Sequence, residues 1–142
     1  MHLVIDGREG TESRGLLVLS ALTFVARALM DLPIVVLAGD DPVVHTAASC
    51  LRWDTGLRIA LPGVDLDPSL SMQGALLFVA VSFRSVTSQY LPAASLAGIA
   101  TLLPVQFPED HTATPSVMAL VKAAHDPRTL GATIISRLGH RV

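Results

Sequence analysis

The feature that most limits the fold of this 142-residue chain is a series of short apolar runs, each closed by glycine, aspartate or proline. Leu3-Val4-Ile5 ends at Asp6-Gly7, and Pro33–Ala38 ends at Gly39–Pro42. Unbroken apolar runs of this length are typical of strands buried on both faces of a parallel sheet. Three further strands are predicted: Leu57–Leu61, whose alternation suits a position nearer an edge, the strongly apolar Ala75–Val81, and Ile99–Leu103.

Segments with helical patterning separate these runs. The predicted helices are Gly15–Met30, Val43–Trp53, a short turn from Asp67, a segment from about Pro92 to Gly98, Pro115–His125 and Pro127–Leu138. Alternating strands and helices favour a parallel sheet with right-handed crossovers. The predicted fold is therefore α/β, Rossmann-like and doubly wound, with a mostly parallel sheet of about five to six strands and helices on both faces. The length indicates a single domain over residues 1–142.

The charge content limits the partners that the chain can attract. A formal net charge of −2 provides no strong field for nucleic acid or an anionic membrane, so those partners are disfavoured. Hydrophobic residues make up 51% of the chain and charged residues only 15%, against about 25% charged in an ordinary soluble domain. We therefore expect an apolar face that is covered by a second copy, giving a homodimer, or by a separate complementary domain.

Several classes of site and location are disfavoured. Cys50 is the only cysteine, which excludes an internal disulfide and fits a reducing cytoplasm. The apolar segment Gly15–Met30 is shorter than the roughly 20 residues of a membrane span and contains Arg27. The N-terminus lacks the pattern of a secretory signal, so a cytoplasmic location is expected. Adjacent Glu109, Asp110 and His111 would point in divergent directions, and we predict no metal site and no bound cofactor.

Three motifs occur in an informative order. Gly7-Arg8 follows the first predicted strand, Arg14-Gly15 opens the first helix, and Leu32–Pro42 is a strand ending in Gly-Asp-Asp-Pro. In order and spacing they resemble the C-terminal, nucleotide-sugar-binding domain of retaining GT-B glycosyltransferases, where Gly-Arg, Lys-Gly and Gly-Asp-Gly-Pro stand at these places. The resemblance continues through Arg58–Gly63 and Ala75–Gly98. A doubly wound domain of another kind is the alternative, because this layout hosts many functions.

The resemblance implies that Arg8 and Arg14, next to Gly7 and Gly15, hold the diphosphate of a nucleotide sugar. Cationic side chains beside a helix N-terminus are a sound physical means of binding phosphate. Arginine in place of the family's lysine at position 14 keeps the charge and changes the reach. The alternative is that both residues are solvated loop arginines.

The same resemblance also identifies what this chain lacks. The family carries two glutamates separated by seven residues, and Ser85 and Ala93 stand at those positions here. Ser85 can still hydrogen-bond a hydroxyl group, and with Ser88 it completes the predicted binding set of Gly7, Arg8, Arg14, Gly15, Ser85 and Ser88. No catalytic residue is predicted. Since the family also works with an N-terminal domain, we do not expect this chain to transfer sugar alone.

Two functional hypotheses remain open at this point. The first is a glycosyltransferase-like domain that binds a nucleotide diphosphate sugar without being catalytic alone. The second is a non-catalytic module for self-association or partner docking. Tyr90 and Phe83 lie in the loop region of the expected cleft, where each could be a core anchor or a stacking surface for a base. Asp6, Asp40 and Asp41 resemble the acidic end of a receiver domain, but Pro104 follows Leu103 where that fold needs lysine.

Overall fold

A computed structural model describes residues 1–11, 13–63, 66–83, 88–106 and 115–139. These ranges contain five strands: β1 (His2–Asp6), β2 (Ile34–Leu37), β3 (Ile59–Ala60), β4 (Ala75–Val79) and β5 (Thr101–Leu102). The strands form one sheet in the order β3-β2-β1-β4-β5, and every pair is parallel. The predicted α/β, Rossmann-like class is confirmed, with five strands in the part of the chain that is described.

Proline and aspartate determine where several helices begin. The helices are α1 (Gly15–Phe24), α2 (Pro42–Thr55), α3 (Pro68–Met72), α4 (Leu91–Leu96), α5 (Pro115–Ala123) and α6 (Pro127–Gly139). The Asp41 and Asp67 side chains accept the N–H groups of Val43 and Ser69, and a proline follows each aspartate. A proline in the first turn loses no helical hydrogen bond, which explains why these starts are readable from the sequence.

The predicted helix Gly15–Met30 is wrong in its second half. α1 ends at Phe24, Val25 has φ −122° and ψ 18°, and Ala26–Leu29 form a separate 3-10 turn. The Val25 N–H bonds to the Leu22 carbonyl three residues earlier, which tightens the end of α1. No glycine or capping residue indicates this break, so apolar periodicity alone extends the helix too far.

Helices cover both faces of the sheet, but unequally. The larger core packs α1, α2 and α6 on one face, around residues such as Ile5, Val36 and Val79. The smaller core lies on the other face, where Met72 of α3 and Ala94 of α4 pack against Phe78. This arrangement agrees with the predicted double winding.

The chain reverses its direction of winding at the centre of the sheet. From β1 it moves outward through β2 to β3, and it then crosses to β4 on the other side of β1. The loops that follow β1 and β4 therefore diverge to opposite faces and leave a crevice at the carboxyl edge. In open α/β sheets this is the usual place for a ligand.

Gly15 allows the close turn between β1 and α1. Its N–H donates to the Arg8 carbonyl at 2.8 Å, and a Cβ atom placed on it would lie 1.8 Å from the Gly7 carbonyl oxygen. That separation is far inside van der Waals contact and involves backbone that cannot rotate away. Position 15 therefore requires glycine.

We expect Gly15→Ala to lower the free energy of unfolding by about 3 kcal/mol, because the loop must shift to admit the methyl group. Gly10→Ala in the same loop is the matched control, since a Cβ there meets nothing within 4 Å. Its effect should stay within about 0.5 kcal/mol. Urea unfolding measures both variants, and equal losses would contradict the proposed clash.

Candidate ligand-binding cleft at the carboxyl edge of the sheet

The buried carboxylate of Asp6 organises the carboxyl edge of β1. It is inaccessible to solvent and accepts hydrogen bonds from Ser13 Oγ at 3.0 Å, Ser88 Oγ at 2.5 Å and the Arg8 backbone N–H at 3.0 Å. A buried charge is tolerated when its oxygens are satisfied in this way. Because Ser13 follows β1 and Ser88 follows β4, Asp6 joins the two loops that border the crevice.

Backbone contacts reinforce the same junction. The Arg14 N–H donates to the Val81 carbonyl at 3.2 Å, and Ser13 forms an antiparallel bridge with Ser82. The Ser88 hydroxyl in turn accepts the Tyr90 N–H at 3.2 Å. The start of α1 and the segments after β4 are thus held together from both the side chains and the main chain.

Arg8 lies directly above this junction. Its Nε is 3.4 Å from Asp6 Oδ1, and its guanidinium carbon lies 4.5 Å from the centre of the Tyr90 ring. The side chain is 23% exposed, yet Nη2 is buried and has no hydrogen-bond partner within the described residues. An ion pair and a ring face therefore fix the guanidinium while one of its donors remains unsatisfied.

A cleft of about 420 Å³ opens beside Arg8. Its walls come from the loop after β1, the loop after β2 and one residue that precedes α4. The lining residues are Arg8, Glu9, Gly10, Thr11, Ser13, Ala38, Gly39, Asp40, Asp41 and Gln89. The cleft thus lies at the carboxyl edge, where parallel α/β sheets usually bind ligands.

Acidic groups outnumber basic ones in this lining. Among the described residues that line the cleft, Arg8 is the one cation, and Glu9, Asp40 and Asp41 contribute carboxylates. Asp41 Oδ1 is engaged in capping α2 through the Val43 N–H at 2.9 Å, and Asp40 is exposed to water. Any anion in the cleft therefore depends on the direct geometry of Arg8 rather than on a broad positive field.

Glu9 and Arg14 form a second ionic group at the start of α1. Glu9 Oε1 is 3.5 Å from Arg14 Nε, and Glu9 Oε2 accepts the Leu16 N–H at 3.1 Å. The Arg14 guanidinium also lies over the Phe83 ring at 5.6 Å. Both arginines singled out from the sequence are thus paired with a carboxylate and an aromatic ring.

Five of the six predicted binding residues lie close together in the structure. Two of the five, both glycines, shape the loop after β1. Gly7 is buried, and a Cβ there would lie 2.5 Å from Val36 Cγ1, so Gly7 and Gly15 shape the loop. Arg8 lines the cleft, Arg14 stands beside it, and the Ser88 hydroxyl is directed at Asp6. Ser85 lies outside the described residues.

Sequence reasoning missed Asp6, Ser13 and Glu9 as members of this site. Asp6 had a readable signal, since it is the polar residue that ends a central apolar strand. Ser13 and Glu9 carried no such signal, because their importance comes from contacts made across the loop.

Two sequence-based expectations concern features away from the cleft. The residues considered as metal ligands, Glu109 to His111, lie outside the described ranges, and within those ranges no group of three or more His, Cys, Asp or Glu could hold a metal ion. Among the helices that the structure describes, none has the length and apolar character needed to cross a bilayer.

Ser88→Ala should lower the free energy of unfolding by about 2 kcal/mol, because it leaves the buried Asp6 carboxylate short of a donor and the Tyr90 N–H short of an acceptor. Ser95→Ala provides the same chemical change at an exposed position of α4 and should be nearly neutral. Chemical denaturation of the two variants side by side checks this. Similar stabilities would show that the contact with Asp6 contributes little.

Comparison with known proteins gives similarity at the level of structure. No protein-family model and no curated sequence matches the chain. The fold is similar to that of a glycosyltransferase chain in the crystal structure of the GtfA/B complex, with a TM-score of 0.55 and 13% identity over 98% of this chain. The match covers 32% of that chain, so this sequence spans about a third of its length. At this identity the likeness shows the fold alone, a Rossmann-like α/β arrangement similar to that of the glycosyltransferase chain.

Proposed function

We propose that the cleft beside Arg8 binds the diphosphate of a nucleotide sugar, and that this chain does not catalyse sugar transfer by itself. The observation that carries the proposal is the buried Arg8 Nη2, which has no hydrogen-bond partner among the described residues. A buried donor without a partner costs about 1–3 kcal/mol, so an anion that accepts its hydrogen bond is favoured.

The surroundings of Arg8 prepare it for this role. Asp6 and the Tyr90 ring hold the guanidinium in place, so little conformational entropy is lost when a ligand binds. The planar guanidinium matches the oxygens of a phosphate group. Its position at the carboxyl edge of a glycosyltransferase-like sheet supports a phosphorylated ligand there.

The absence of catalysis rests on the residues that replace the family's glutamates. Ala93 offers only a methyl group, and that group packs against the smaller core. We therefore interpret residues 1–142 as one binding domain equivalent to the C-terminal half of a GT-B glycosyltransferase, which needs a complementary domain for transfer.

Calorimetric titration with UDP and GDP tests the proposal. We expect a Kd of about 100 µM for at least one nucleotide, or about −5.5 kcal/mol, because the acidic lining opposes the ligand. Arg8→Ala should abolish measurable binding, and Arg27→Ala, which removes an exposed positive charge elsewhere, should leave it intact. Circular dichroism confirms that the variants are folded. The proposal fails if neither nucleotide produces heat at millimolar concentration.

Self-association is a second candidate function, supported by an apolar stripe on the exposed side of α2. Val43, Cys50 and Trp53 are all exposed and lie seven and three residues apart, which places them on one face of the helix. Trp53 is 89% exposed, and tryptophan is a frequent anchor of protein interfaces. A second copy of the chain would remove this surface from water, as the low charged content suggests.

If α2 is the interface, Trp53→Ser should convert a dimer into a monomer. Leu96→Ser is the matched control, because Leu96 is also 89% exposed but belongs to α4, on the opposite face of the sheet. Sedimentation velocity at high micromolar protein concentration distinguishes them. A monomeric wild type, or equal responses of the two variants, would contradict association through α2.

A further inference from the structure

Glu9 puts a carboxylate of the chain itself at the N-terminus of α1. Its Oε2 accepts the Leu16 N–H at 3.1 Å, and its Oε1 lies 3.5 Å from Arg14 Nε. The side chain is 30% exposed and lines the same cleft as Arg8. Glu9 is thus within reach of solvent and is held by one backbone donor and one cation.

An anionic ligand beside Arg8 would need the same two partners that Glu9 occupies, the Leu16 N–H and the Arg14 guanidinium. The first N–H groups of a ten-residue helix have no acceptor within the helix, and the positive end of its dipole favours negative charge. Glu9 already supplies that charge and also neutralises Arg14. By contrast, the neighbouring Arg8 Nη2 is buried without a hydrogen-bond partner in the described part of the chain, so it has a donor to offer an anionic group.

We propose that Glu9 is a built-in competitor that takes the place of one phosphoryl group at the start of α1. Arg8 then receives a single phosphoryl group freely, and the second group of a diphosphate enters only when the Glu9 carboxylate moves away. This inference rests on the proposed binding function and adds a prediction about its selectivity. With Glu9 in place, a second phosphoryl group on the ligand adds little to its binding affinity.

Glu9→Gln tests the inference, because glutamine keeps the size of the side chain and removes its charge. UDP and UMP are titrated separately by calorimetry in low-salt buffer, where screening is weak. Affinity of the variant for UDP should rise about three- to fivefold over wild type, and affinity for UMP less than twofold. The variant should therefore discriminate between the two nucleotides more strongly than wild type does.

Asp40→Asn is the matched control. It removes one negative charge from an exposed position of the same cleft, on the loop after β2 rather than at the start of α1. Any gain from lowering the overall negative charge should be small for both nucleotides and only slightly larger for UDP, which carries more charge than UMP. A shift in the UDP-to-UMP ratio as large as that of Glu9→Gln would overturn the assignment to Glu9.

The remaining outcomes separate the two proposals. If UDP binds in an Arg8-dependent manner and Glu9→Gln does not change the UDP-to-UMP ratio, Glu9 is not a competitor, and the proposed binding function stands. If neither nucleotide binds wild type or Glu9→Gln, the binding function fails, and the role of Glu9 fails with it.

Discussion

Asp6 is a charged group with no access to water, and the geometry of the carboxyl edge follows from how its oxygens are satisfied. Two of its side-chain donors are Ser13 in the loop after β1 and Ser88 after β4. A buried carboxylate that loses its donors is strongly destabilising, so the two loops cannot separate cheaply. The need to satisfy one carboxylate therefore closes the crevice at its inner end and gives Arg8 a fixed partner.

The same pairing limits how strongly the cleft can attract an anion. Arg8 is paired with Asp6 and Arg14 with Glu9, so neither arginine contributes an uncompensated charge. Short-range hydrogen bonding then decides the affinity, because a chain of net charge −2 provides no long-range attraction for phosphate. Such a site should bind weakly and discriminate by shape.

Local sequence patterns predicted most of the fold, because the burial of a strand and the start of a helix each determine which residue types occur at neighbouring positions. The run from Pro33 to Ala38 is apolar throughout because β2 lies inside the sheet, and Pro42 is at the start of α2 because it fits there without loss. The break at Val25 has no such local cause. The contact between Ser88 and Asp6 joins residues 82 apart, and no periodicity reveals a hydrogen bond across that separation.

The two candidate functions meet in α2. Asp41 lines the cleft and caps the first turn of α2, whereas Trp53 lies twelve residues further along the chain, which corresponds to about 18 Å of helix. The apolar stripe also includes Val43, whose N–H donates to Asp41, so a second copy seated on the whole stripe would reach the edge of the cleft. Since Asp41 both lines the cleft and caps α2, ligand binding and self-association would share this end of the helix.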